Sequence, residues 1–210
     1  MHGTTQKVVR VWDPLVRIGH WVLVAGFTGA YLTEDDLLGL HVWAGYAVSA
    51  IIILRLVWGL VGSRHARFSD FIYAPRTVMA YIRELLRLRS KRYLGHSPAG
   101  GVMVLVLLLI LIATVYTGLM IYALDKNRGP LASFVAQGPA TVVSTALPDN
   151  SREATDRKAR RHFWKEVHEA LSNAALILIV LHIGGVALAS FAHRENLVRA
   201  MITGDKRLDP

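Results

Sequence analysis

No cysteine occurs anywhere in the 210 residues. That absence excludes disulfides, iron–sulfur clusters, thiolate zinc sites and covalent c-type haem attachment. A metal held by this chain must rest on histidine, carboxylate or methionine, and nine histidines are present. Charge is scarce as well. Charged residues make up 19% of the chain against 53% hydrophobic ones, more apolar content than a soluble domain of this size needs. Acidic residues are the scarcer sign, 15 against 24 Lys and Arg, for a net charge of +9. The surplus would suit nucleic acid, but no basic-aromatic motif accompanies it, so no nucleic-acid partner is expected. Also missing are a small-residue cleavage site after the first apolar stretch, any internal repeat and any low-complexity tract. The first stretch is therefore read as a retained helix, not a signal peptide.

The apolar residues gather in blocks long enough to cross a bilayer, which takes about 20 residues per helix. Four spans are expected, at about 15–33, 41–61, 99–124 and 164–191. The expected fold is all-α: one domain over 1–210, an integral membrane four-helix bundle. The acidic triplet Glu34-Asp35-Asp36 ends span one, and the short gap to span two makes the first two an antiparallel hairpin. Val102 to Ala113 and Ala174 to Ala189 are the clearest apolar stretches.

Basic residues set the orientation. With both termini cytoplasmic, the inner segments hold fifteen Lys and Arg and the outer ones eight, as the positive-inside rule requires. The cluster Arg157 to Arg161 opposes this reading without reversing it. Between spans two and three, Ser63 to Pro98 is cytoplasmic. Pro75 can open a helix there, and Val78, Tyr81, Ile82, Leu85 and Leu86 recur at helical spacing apart from Arg76, Arg83 and Arg87. This reads as an amphipathic helix on the inner leaflet, with an ordinary connector as the alternative. Between spans three and four, Asp125 to Phe163 is a longer periplasmic loop. Its Gly138-Pro139 break and Asp149-Asn150-Ser151 turn signal argue against another span, and Leu131 to Leu147 suits a membrane surface or a partner. Trp12, Trp21, Trp43, Trp58 and Trp164 mark the interfaces.

Polar side chains inside spans are costly and are functional candidates by default. Four histidines qualify: His20 low in span one, His41 at the top of span two, His168 at the top of span four and His182 lower in it. His168 and His182 are 14 residues apart, nearly four turns, so they share a face and lie about 21 Å apart along the axis. The four sort into an outer pair, His41 with His168, and an inner pair, His20 with His182. Two opposed imidazoles are what six-coordinate haem iron needs. Such a site suits electron transfer, and two haems would carry electrons across the bilayer. Gly45 lies four after His41 and Gly185 three after His182, leaving room for a flat macrocycle or serving helix packing. Arg55 lies 14 after His41, on its face at the lower level, where a haem propionate would be its counter-charge. Arg17, three before His20, is a second such candidate or simply snorkels. His96, before span three, suits a quinone site, a propionate or a cap. His2, His65, His162 and His193 lie outside the spans and read as surface residues.

The run Val11-Trp12-Asp13-Pro14-Leu15-Val16-Arg17-Ile18-Gly19-His20-Trp21 resembles the opening of the bacterial cytochrome b561 and nickel–iron hydrogenase b-type cytochrome family. So do Arg55-Leu56-Val57-Trp58-Gly59, Gly95-His96-Ser97-Pro98, His168-Glu169 and Leu181-His182-Ile183. The resemblance covers nearly the whole chain. It implies a bacterial inner-membrane cytochrome with two b haems (iron) ligated by His20, His41, His168 and His182. It also implies electron exchange between the quinone pool and a periplasmic partner, either a c-type cytochrome or a hydrogenase small subunit. The length of the two long segments favours the branch with c-type partners. Quinone-site candidates are His96, Arg17 and Trp21.

Three readings stay open. The first is a di-haem electron-transfer protein or subunit of a quinone-linked oxidoreductase, with membrane lipid around it and a homodimer allowed. The second is a stand-alone superoxide:ubiquinone oxidoreductase, with the basic cluster Arg157 to Arg161 attracting an anion or an acidic partner. The third is a non-redox transporter or structural subunit with incidental or proton-relaying histidines.

Overall fold

The computed structural model describes residues 8–33, 37–136 and 150–208, with side chains up to Val135 and again from Thr155. His2, the acidic triplet at 34–36, the Gly138-Pro139 break and most of Leu131 to Leu147 lie outside the described residues.

Helix α1, Pro14–Leu32, starts where the chain says it should. Asp13 is extended and its carboxylate accepts from the Val16 backbone N–H at 2.9 Å, while Pro14 occupies the first turn. This is an N-cap followed by a residue with no N–H to lose. Helix α2, Leu38–Val61, follows, then a single 3₁₀ turn at Phe68–Asp70 and helix α3, Pro75–Leu86. Helix α4 is Pro98–Lys126, α5 Ala132–Ala136, α6 Asn150–Ala192 and α7 Leu197–Thr203. Four helices are long and apolar enough to span a membrane: α1, α2, α4 and the stretch Thr155–Ala192 of α6. Their outward side chains are large and apolar, including Ile18, Trp43, Leu60, Leu109 and Ile177. That surface would be a liability in water and is ordinary against lipid. The protein is a multi-pass, all-helical membrane protein.

The fourth spanning helix differs from the expectation in length. It begins at Asn150, not near Trp164. The stretch from Thr155 to Phe163 is polar, but it carries no proline or glycine, so nothing in it stops a helix already anchored by the apolar span. In α3, Val78, Tyr81 and Leu85 are buried, whereas Ile82 and Leu86 are exposed beside Met79.

Two compact units divide the chain. The first comprises residues 1–109 and 176–210, the second Ile110–Ala175. In the first, α1 and α2 pack closely. A Cβ at Gly26 would lie 2.8 Å from a Val48 methyl, so the glycine permits the approach. The chain ends meet in a two-stranded antiparallel ribbon. Strand β1, Val8–Arg10, pairs with β2, Asp205–Arg207, in the register Val9 opposite Lys206. Gly204 makes the turn into β2 with φ of 90°, and its carbonyl receives the Val11 and Trp12 N–H groups at 2.9 and 3.1 Å. A small core of Val11, Trp12, Val16, Ala66 and Ala200 closes this end.

Candidate functional site

In the first unit, His20 of α1 and His182 of α6 face each other, ring centroids 6.4 Å apart. An imidazole nitrogen lies about 2 Å from a bound transition metal, and about 1 Å of ring stands behind it. Two trans imidazoles on one metal therefore hold their centroids about 6 Å apart, the separation seen. The Nδ1 of His20 is buried without a hydrogen-bond partner among the described residues. A buried polar atom left so is costly. No three His, Asp or Glu side chains gather as a bare-ion site among the described residues. A porphyrin asks for two, since it brings four nitrogens itself. The donor set and its spacing fit haem.

Arg55 lies in the same unit. Its guanidinium carbon sits 4.9 Å from the Phe68 ring centre and 5.9 Å from that of Phe71. Both terminal nitrogens are buried and lack hydrogen-bond partners among the described residues. Aromatic faces support the cation partially, but two parallel N–H donors without an acceptor match a carboxylate. Arg17 donates to the Ile202 carbonyl at 2.5 Å and keeps its Nε buried and unpartnered. It lines an open groove of about 410 Å³ with Ile18, Trp21, Val22, Ala25, Met201 and Ile202.

His96 stands apart from that groove. Trp12 meets its ring edge-on at 4.6 Å and Phe71 lies 4.3 Å away. Burial pushes its pKa down to about 3, helped by the positive charges of Arg55 and Lys206, so the ring is neutral at physiological pH. Arg17 and Trp21, two of the three quinone candidates, thus line one groove, and His96 is not among its lining residues. Among the other histidines, His65 bonds Asp70 at 3.1 Å, His193 approaches Ser90 at 3.4 Å and His162 approaches Glu166 at 3.4 Å.

The Nδ1 of His41 donates to the Ala30 carbonyl at 2.9 Å, across the α1–α2 hairpin. In the second unit, the Thr117 hydroxyl donates to the Thr114 carbonyl at 2.8 Å and so accepts from His168 Nδ1 at 2.9 Å. The Thr114 carbonyl also lies 3.0 Å from that nitrogen. Each ring is held as the tautomer with its lone pair on Nε2, as metal-binding histidines are when their other nitrogen donates to a fixed oxygen. Gly118 lets the ring in: a Cβ there would stand 3.1 Å from His168 Cε1. Thr114, Thr117 and Gly118 were missed by sequence reasoning. The available signal was two threonines three apart in an otherwise apolar span. No Cβ neighbour lies within 4 Å at Gly45 or Gly185, so both leave open space beside the backbone.

A family model described as prokaryotic cytochrome b561 matches residues 11–204. The chain belongs to the prokaryotic cytochrome b561 family. It is a b-type cytochrome, a haem b protein of electron transfer. Three similar proteins bear the name "Probable Ni/Fe-hydrogenase B-type cytochrome subunit". That of Azotobacter chroococcum is 23% identical over 95% of this chain and 88% of its own length. That of Bradyrhizobium diazoefficiens is 22% identical over 96% and 87%. That of Rhizobium leguminosarum bv. viciae is 28% identical over 96% and 90%. No solved structure matches the chain.

Proposed function

We propose that this cytochrome carries two b haems and moves electrons across the bacterial inner membrane, between the quinone pool and a periplasmic redox partner. The observation that carries the reading is the 6.4 Å separation of the His20 and His182 rings, which suits two imidazoles that would hold one iron. His41 and His168 are the proposed outer pair, supported by the tautomers that Ala30, Thr114 and Thr117 impose. Bound haem would supply a one-electron carrier. The protein's own work is to hold the rings, exclude water and balance charge. Arg55, with its two unpartnered donors, takes a propionate, and Arg17 takes a second or the quinone head. Gly45 and Gly185 keep the backbone clear of a flat macrocycle. The groove beside Arg17 and Trp21 suits a polar-headed, apolar-tailed quinone; His96, neutral and enclosed by rings, steadies the Arg55 side.

The excess of Lys and Arg in the segments around α3 and the chain ends supports both termini being cytoplasmic. Names of the relatives favour a hydrogenase as the outer partner. A c-type cytochrome is the second choice, from the length of the segment between α4 and α6.

The deciding experiment is haem content per chain with reduced-minus-oxidised spectra, on the wild type and on His→Ala at 20, 41, 168 and 182. About two b haems, with each substitution lowering or altering the signal, is expected. A folded preparation without haem, or four silent substitutions, overturns the reading.

A further inference from the structure

The polar N-terminal part of α6 has no assigned role. Thr155–Ala192 is 38 residues, about 57 Å of helix. A bilayer with its headgroups is only about 40–45 Å thick. Trp164, against Tyr116 at 5.8 Å, is the residue whose type marks the interface at this end of the span. Arg157 lies seven residues before it, about 10 Å further out. Thr155 to Phe163 is exposed throughout.

The charges on this arm are sorted by face. At about 100° per residue, Arg157, Lys158, Arg160, Arg161 and Lys165 fall within about 160° of arc. Asp156, Ala159, Phe163 and Glu166 fall on the other side. His168 is 11 residues from Arg157, about three turns, so it lies beneath the middle of the basic face. Arg161 pairs with Asp125 at 3.0 Å, beside the end of α4. The other four basic residues of this face are in no ion pair among the described residues.

We infer that this basic face of α6 is the docking surface for an acidic patch on the outer redox partner, seated directly above His168. The inference rests on the electron-transfer reading and names the chemistry of its outer partner. Position is the physical reason. A partner held along Arg157, Lys158 and Arg160 is aligned with the His168 face, and steering by charge raises the encounter rate without requiring tight binding. Anionic lipid is the weaker occupant, because the face runs along the helix axis and only its lower end reaches headgroup level. A second copy brings the same charge and is repelled.

The test uses the haem-loaded protein in phosphatidylcholine nanodiscs. The probes are a small acidic c-type cytochrome and a basic cytochrome c of similar size. Binding and reduction rate are measured at low and at physiological ionic strength. The triple variant Arg157→Glu, Lys158→Glu, Arg160→Glu changes only exposed side chains, so its melting temperature and haem spectrum serve as the folding control. Preference for the acidic probe, loss of that binding with salt, and a loss of tenfold or more in the variant are expected. Binding indifferent to salt and to the variant overturns the inference, as does binding only to vesicles with anionic lipid or a salt-sensitive self-association. Binding is read apart from haem reduction, so a protein without haem would sink the electron-transfer reading while leaving the docking result legible.

Discussion

The hydroxyl of Thr117 accepts the Nδ1 proton of His168 at 2.9 Å and passes its own to the Thr114 carbonyl at 2.8 Å. Two adjacent turns of α4 therefore fix which nitrogen of a histidine on α6 carries the lone pair. Thr117→Val keeps the shape and removes one of the two acceptors, leaving the Thr114 carbonyl 3.0 Å from Nδ1. Partners of this kind are worth about 10–100-fold in metal affinity. The expected outcome is a haem affinity at the His168 site at least tenfold weaker, with the signal assigned to the His20–His182 pair unchanged. Haem titration of the variant, resolved by spectrum, checks it. An unchanged affinity would mean that the Thr114 carbonyl holds the ring without help from the hydroxyl.

Arg55 gives a prediction that changes sign with loading. Its terminal nitrogens are buried and unpartnered among the described residues, with Phe68 and Phe71 beneath them. Without a hydrogen-bonded anion, and with only the attraction of Asp13, that buried cation is a cost. Arg55→Met should therefore raise the melting temperature of haem-free protein. In loaded protein the same change should weaken haem binding by about tenfold, the value of one charge-assisted hydrogen bond. Melting curves of both forms test both signs. A variant less stable in both forms would show that Arg55 serves packing alone.

Asp13 ties the start of α1 to the end of α2. Its carboxylate accepts from the Val16 N–H and the Trp58 indole N–H, each at 2.9 Å, and from the Ser63 hydroxyl. Burial raises its pKa, yet the bonds from Ser63, Trp58 and the backbone of Val16 and Leu15 outweigh burial and hold it below the usual carboxylate range. Asp13→Ala removes the cap and strands the indole donor, for about 2 kcal/mol. Chemical denaturation in detergent should show that loss; Asp13→Asn should recover about half of it. Equal losses in both variants would place the effect in charge, not capping.

The spans and one histidine pair were legible because lipid imposes a simple code. Apolar blocks of about 20 residues mark helices, and 14 residues fix a shared face. The ribbon joining Val8–Arg10 to Asp205–Arg207 could not be read, since three-residue strands carry no period and their pairing spans the whole chain. Nor could the long reach of α6 be read. Its polar arm has no apolar stripe, and only continuity with the span makes it helical. The tautomer-fixing role of Thr117 was hidden because a lone hydroxyl in a span also satisfies itself on its own helix.

The clamp behind the terminal ribbon predicts how the protein responds to acid. Arg92 grips Glu195 with two bonds of 3.2 and 3.0 Å, and Lys206 stands 3.6 Å from the same carboxylate. Arg92 also reaches the Leu208 and Arg207 carbonyls. Burial raises the Glu195 pKa, but Arg92 and Lys206 more than offset it, so the folded value lies below the ordinary one. Its contribution is present above the unfolded value of 4.5 and is lost as pH falls through the folded one. His96 acts in the same direction at higher pH. Its folded pKa of about 3 lies below the unfolded 6.5, so the unfolded chain binds more protons across that window and stability falls as pH drops through it. Glu195→Gln leaves two cations without their carboxylate and should cost about 3 kcal/mol near neutrality, while flattening the decline below about pH 4.5. His96→Gln should flatten the upper part of the decline, between pH 6.5 and the onset of the Glu195 effect. Melting temperatures from pH 8 to about pH 3, on the wild type and both variants, distinguish the His96 contribution, whose loss begins near pH 6.5, from that of Glu195, whose loss begins near pH 4.5. A wild-type curve level across that range would show that neither group titrates with unfolding.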